Sequence, residues 1–197
     1  MVKDKFGYPL KAVIFLVSLV CGLICFCSCA TGVKYREDRP HAYLTDTSSF
    51  ILLPTGAVGK SMDMAQRISA SYQGRDFFMM AWVKADETVI EMTLLSEMGT
   101  TIGELSYRDE LISFSSEVFP ASLKPEYIIA DFQLCFYDTV LLARALKNCG
   151  LDMESSGSAR RVLRGKNLIY EIEKNNEEVR LTNHLRGYAY TLEGDFS

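Results

Sequence analysis

Histidine is nearly absent from this chain. Only His41 and His184 occur in 197 residues, and neither has a Ser, Cys or Asp arrangement around it that suggests catalysis. A hydrolytic triad needs a histidine base, and a structural zinc site needs paired Cys or His at short spacing. No nucleophile-elbow motif occurs either. Both histidines are read as exposed polar residues; no enzymatic activity, cofactor or metal is expected. An excess of positive charge is also missing, since 21 Lys and Arg face 25 Asp and Glu, for a net charge of −4. Nucleic-acid binding favours a basic patch, so no nucleic-acid partner is expected. A phosphate-binding loop is imitated without being present. Thr55-Gly56-Ala57-Val58-Gly59-Lys60-Ser61 ends like one, but Pro54 stands where the loop requires its first Gly. Proline has no N–H to offer a phosphate.

Long hydrophobic runs are limited to one, at residues 12–29, preceded by Lys3, Lys5 and Lys11. Its apolar part is about 15 residues, short of the roughly 20 needed to span a bilayer. A basic leader feeding a short apolar run is the pattern of a secretory signal peptide. The run ends in Phe26-Cys27-Ser28-Cys29, which resembles the lipobox of bacterial lipoproteins. The expectation is cleavage after Ser28 and lipidation of Cys29; the alternative is an uncleaved N-terminal anchor. Either places the remaining chain outside the cytoplasm at a membrane surface. Ala30 follows Cys29. In many Gram-negative bacteria an Asp there retains a lipoprotein at the inner membrane, so the outer membrane, facing the periplasm, is expected. The organisation is then a signal peptide over 1–28, a lipidated Cys and tether over 29–48, and one domain over 49–197.

The mature chain keeps 18 basic and 24 acidic side chains, a net charge of −6. Attachment would come from lipid on Cys29 and not from surface charge. Cysteine is then scarce as well, with Cys135 and Cys149 remaining beyond Cys29. On a straight helix, 14 residues separate two positions by ~21 Å, beyond disulfide reach. They could pair only across a helix break, and free thiols are expected.

What the chain has is short alternating runs. Residues 50–53, 62–72, 76–84, 89–95, 100–107 and 110–115 read as strands, and so do 161–163, 167–174, 178–182 and 187–196. In Val89–Leu95 the apolar Ile90, Met92 and Leu94 alternate with Glu91 and Thr93, which marks a strand with one buried face. The run Asp76–Lys84 is apolar on both faces. Short connectors such as Gln73-Gly74, Met98-Gly99 and Arg108-Asp109 suit hairpins.

Between the two strand sets, Pro125 to Asn148 reads as one helix. Proline suits its first position, and Cys149-Gly150 supplies the stop. Apolar residues surround most of its circumference, with Gln133, Arg144 and Lys147 on a narrow polar side. Asp131 and Asp138 are read as surface acids on this helix in preference to an acid–base pair. Arg160, Arg161, Arg164 and Lys166 form a basic cluster, either a solvated strand-turn surface or a contact to a phosphate or acidic head group. The fold class expected is α+β, mainly β: one antiparallel sheet curled over an apolar helix.

Three stretches carry a family resemblance: Leu94 to Thr101, Ala130 to Leu146, and Arg186 to Leu192. In their order and spacing they resemble the LolA/LolB-like superfamily of lipoprotein carriers and receptors. They are more closely similar to an uncharacterised family of bacterial outer-membrane lipoproteins, often encoded beside fatty-acid-synthase-like genes for aryl polyene lipids. Two departures stand out. Phe136-Tyr137-Asp138 replaces a Trp-Pro pair of that family's helix, and Lys84 to Thr88 is polar where the receptor carries an exposed apolar loop. The resemblance implies a curved antiparallel half-barrel with a helical lid over an apolar cavity that binds acyl chains or another lipid cargo. The candidate lining is Phe77, Met79, Trp82, Ile90, Met92, Leu94, Phe132, Phe136, Tyr170, Tyr188 and Tyr190. The six methionines Met62, Met64, Met79, Met80, Met92 and Met98 suit either an adaptable cavity or a filled core. A second function fits the same sequence: a structural or assembly lipoprotein that holds a periplasmic carrier or envelope protein and has no lipid cavity.

Cys29→Ser should abolish incorporation of labelled palmitate and release the processed chain from the membrane fraction. Retention of label in that variant would place the lipid on another cysteine.

Overall fold

The computed structural model describes residues 39–72, 74–120 and 123–197; the leader, Cys29 and Ala30 lie outside them. Among the described residues, no helix is long and apolar enough to cross a membrane.

The fold is mainly β. A small hairpin of β1 (His41–Tyr43) and β2 (Ser49–Ile51) precedes the main sheet. Five strands follow in sequence: β3 (Met62–Tyr72), β4 (Arg75–Ala85), β5 (Ile90–Leu95), β6 (Thr101–Arg108) and β7 (Leu111–Ser115). Two helices come next, α1 (Pro125–Phe136) and α2 (Thr139–Asn148). The chain closes with β8 (Asp152–Ser156), β9 (Ala159–Arg164), β10 (Asn167–Lys174), β11 (Glu178–Asn183) and β12 (Tyr188–Glu193). All ten strands from β3 onward form one antiparallel sheet in the order β7-β6-β5-β4-β3-β12-β11-β10-β9-β8. Each half is a meander built of hairpins, and the pairing of β3 with β12 joins the halves in the middle.

This topology puts the two ends of the helical segment at opposite edges of the sheet. The chain leaves at β7 and re-enters at β8, so α1 and α2 cross one face. The sheet curls to meet them. Helix α1, about 18 Å long at 1.5 Å per residue, touches β7 at one edge and β10 and β11 toward the other. Tyr107 of β6 donates to the Leu53 carbonyl at 3.0 Å, and Gln133 of α1 donates to the same oxygen at 2.8 Å. Arg160 of β9 donates to the carbonyl of the next helical residue, Leu134, at 2.9 Å. In a flat sheet β6 and β9 would be roughly 34 Å apart, at seven spacings of about 4.8 Å. A few side chains bridge them here because the sheet is rolled, although it does not close.

The inner face carries the core. Ala81, Val83 and Ala85 of β4, Ile90, Met92 and Leu94 of β5, and Leu105 and Tyr107 of β6 are buried. Val162, Tyr170, Ile172, Val179, Leu181 and Leu192 supply the other half. Helix α1 is buried almost all round because the β1–β2 hairpin lies on it, contributing Ala42, Leu44, Phe50 and Leu52. Arg39 pairs with Glu110 at 2.8 Å, and Arg186 donates to the Tyr43 carbonyl at 2.5 Å; these contacts pin the hairpin at two places.

Four sequence expectations change. The single helix is two, because Asp138 turns the chain and caps α2 by accepting from the Val140 and Leu141 N–H groups at 2.9 Å. Gln133 is not on a polar side: it is fully buried, and its amide both accepts from Leu53 N–H (2.9 Å) and donates to Leu53 C=O. The packed unit begins before residue 49, since β1 falls in the segment expected as tether and buries Ala42 and Leu44. Strand β8 had no legible pattern because it is an edge strand, exposed along nearly its whole length. The imitation phosphate loop clasps the interhelical junction instead. Asp138 N–H donates to the Ala57 carbonyl and Gly59 N–H to the Phe136 carbonyl.

Gln133→Met keeps the side-chain volume and leaves the Leu53 N–H unpaired. It should cost about 2 kcal/mol, read as a lower urea midpoint with unchanged slope, whereas Arg144→Ala on the exposed face of α2 should cost almost nothing.

Candidate functional site

The residues singled out from the sequence divide between the two faces of the sheet. Ile90, Met92 and Leu94 point inward and are buried; Phe132 and Phe136 of α1 are buried as well, with ring centroids 4.9 Å apart, and Phe136 stacks on Phe196. Tyr170, Tyr188 and Tyr190 also point inward, toward α1. Phe77 and Met79 share that inner face, because β4 residues of odd number alternate inward with Ala81, Val83 and Ala85. Phe77 nevertheless remains 45% exposed, since the crossover does not extend over that end of the sheet.

Trp82 is a correction. It lies on the outer face, 51% exposed, and its indole N–H donates to Asp63 at 2.8 Å. The two-residue period of the strand decides this: with Ala81 and Val83 inward, Trp82 must point outward together with Phe78 and Met80. The stretch with two apolar faces therefore has one face in the core and one in solvent.

Under α1 lies a polar cluster that sequence reasoning missed. Asp131, expected on the helix surface, is buried, and its carboxyl accepts from the Tyr188 hydroxyl at 2.8 Å. Burial raises its pKa to about 7, partly offset by the Tyr188 hydrogen bond and the positive charge of Arg186. Burial likewise raises the pKa of Tyr170, Tyr188 and Tyr190, so all three keep their protons. The Asp131 Oδ1, Tyr170 hydroxyl and Asn183 amide nitrogen are buried without a partner among the described residues. A neutral Asp131 acid supplies one proton donor to this group. The available signal was position: Asp131 interrupts a helix that is apolar on nearly every side, so it had no wet face to occupy.

Little here is reactive. Burial pushes the Cys135 thiol up to about 12, with Asp131 adding to the effect, so it stays protonated. A thiol in that state is a poor nucleophile. Cys135 and Cys149 are both free, despite the helix break between them. Among the described residues, no three His, Cys, Asp or Glu side chains gather as a metal site. His41 is in β1 and His184 in the turn after β11. The basic cluster is split by strand alternation. Arg161 pairs with Glu171 at 2.9 Å, while Arg160 turns under the crossover and donates to the carbonyls of Leu134 and Tyr137 at 2.9 Å.

Because Asp131 holds its proton more tightly folded than unfolded, its contribution to stability is fully present below pH ~4 and is lost as pH rises toward about 7. The loss is about 4 kcal/mol at 1.36 kcal/mol per pKa unit. Asp131→Asn keeps an acceptor for Tyr188 and removes the titration. Its unfolding midpoint should gain on wild type between about pH 4 and pH 7 and level off above that; equal pH slopes would show that Asp131 is not the titrating group.

No curated protein matches this chain. The family described as Protein of unknown function (DUF3261) matches over residues 63–194, from the start of β3 to just beyond β12. The match covers more than half of the chain, including the ten-stranded sheet and the helical crossover, and the chain belongs to this DUF3261 family.

Proposed function

We propose that the protein is a lipoprotein anchored through Cys29, at the outer membrane and facing the periplasm, that binds and passes on an acyl chain or similar lipid. On this reading it is a non-catalytic carrier or receptor of the LolA/LolB-like kind. One observation carries the proposal. Along the inner face of β4, burial falls from Ala81, 2% exposed, through half-buried Met79 to Phe77, 45% exposed. The apolar inner surface thus continues past the crossover into solvent. Opposite Phe77 stands Ala70, and opposite Met79 stands Ile68, so the inner surface is apolar as far as Phe77, with Arg75 beyond it at the start of β4. Burying an acyl chain there would contribute about 0.8 kcal/mol per CH₂. Movement of the helical crossover would admit cargo.

The second reading, an assembly lipoprotein that holds a periplasmic carrier or envelope protein, draws on a different surface. Phe78, Met80 and Trp82 are exposed on the outer face of β4, and Leu95 stands opposite Met80 on β5. An apolar row in that position suits a protein partner.

Native mass spectra of the chain from residue 31 onward, before and after organic extraction, test the first reading. A discrete extractable mass is expected. Phe77→Asp should lower binding of a fluorescent fatty acid about tenfold, and Phe78→Asp, on the opposite face, should leave it unchanged. A clean apo mass with no fatty-acid binding would overturn the carrier reading. A protein partner lost with Phe78→Asp would then support the second.

A further inference from the structure

At the end of the strands opposite the β3–β4 turn, a cavity of about 360 Å³ opens between the end of α1 and the β8–β9 and β10–β11 turns. Its walls hold two cations, Arg160 and Lys174, with the hydroxyl-bearing Thr139, Ser155 and Ser158 and the amide-bearing Asn176; no carboxylate lines it. The two cations are not equivalent. Arg160 donates to the Leu134, Cys135 and Tyr137 carbonyls and to the Thr139 hydroxyl. It is thereby matched to the negative end of α1. Asp138, whose charge acts on Arg160, spends a carboxylate oxygen on the first turn of α2.

Lys174 has no such match. Its ammonium lies 5.0 Å from the Phe136 ring centre and 5.9 Å from that of Phe196. It makes no salt bridge or hydrogen bond with a described residue. Burial lowers its pKa, and the positive charges of Arg160 and Lys60 add to the effect. Holding a half-buried ammonium beside a guanidinium costs stability unless a negative charge joins them.

We propose that this cavity binds an oxyanion of the phosphate class, with Lys174 as its direct ion-pair partner, Ser155, Ser158 and Asn176 as further donors, and Arg160 as the positioning residue that fixes the helix end beside it. The volume admits a tetrahedral dianion with ordered water. The same chemistry is offered by inorganic phosphate and by a phosphomonoester head group. The inference stands apart from the acyl-cargo reading, since a site filled by inorganic phosphate needs no apolar chain.

The test uses the full-length protein in a non-ionic detergent and phosphate-free buffer. Inorganic phosphate is titrated against the ³¹P line width, and then short-chain phosphatidic acid is added as competitor. Saturable binding is expected. Lys174→Met keeps the packing over Phe136 and Phe196 and should weaken binding about tenfold. Ser158→Asp, on an exposed turn, should weaken it at least as much, with both variants retaining wild-type circular dichroism. Displacement of phosphate by phosphatidic acid would identify the ligand as an amphiphile's head group; no displacement would identify it as free phosphate. Absence of saturable binding at millimolar phosphate, or equal affinity in wild type and both variants, would overturn the proposal.

Discussion

A chain that leaves a ten-stranded sheet at one edge and returns at the other must cross its face, and the rest of the structure follows from that crossing. The crossover is two helices with a break, and the sheet rolls until both ends of α1 reach it. A helix with sheet on one side and the β1–β2 hairpin on the other has little access to water. Its backbone and polar side chains must therefore find partners inside the protein. Gln133 meets the backbone of Leu53 through both ends of its amide. Arg160 satisfies the carbonyls left open where α1 stops. Gly59 fits against the same junction, where a Cβ would lie 3.0 Å from the Phe136 carbonyl.

The same crossing creates the polar interior. Asp131 faces Tyr188 and lies close to Tyr170, in surroundings that favour its neutral acid. The two ends of the sheet differ in character. Toward the β3–β4 turn the inner face is apolar and runs out into solvent at Phe77. Toward the β8–β9 and β10–β11 turns it is cationic and hydroxyl-lined, with Lys174 and Arg160 beside the end of α1. The inner face is thus apolar at one end and cationic at the other.

Strands with one wet and one dry face were legible in the sequence, Ile90 to Leu95 most plainly, because alternation is set by burial on one side. Strand β8 was silent, since neither of its faces is dry. The helix break at Asp138 was hidden because the apolar pattern continues through it, and a short acid reads equally as a surface residue or an N-cap. For the candidate site, the aromatic residues of α1 and the inward tyrosines were legible by period. Trp82 was misplaced because a stretch apolar on both faces carries no phase, and only Ala81 and Val83 packing under the crossover supply one.

The sequence by itself determined the strand–helix–strand order, the hairpin connections and the apolar character of the crossover, because each follows from contacts close along the chain. Tertiary structure alone decided which β4 face is inner, that Gln133 and Asp131 are buried, and that Arg160 parts from Arg161 to join the end of α1. Each of these depends on a partner far away in the chain, such as Leu53 for Gln133 and Tyr188 for Asp131. No local pattern encodes which distant segment will cover a given side chain.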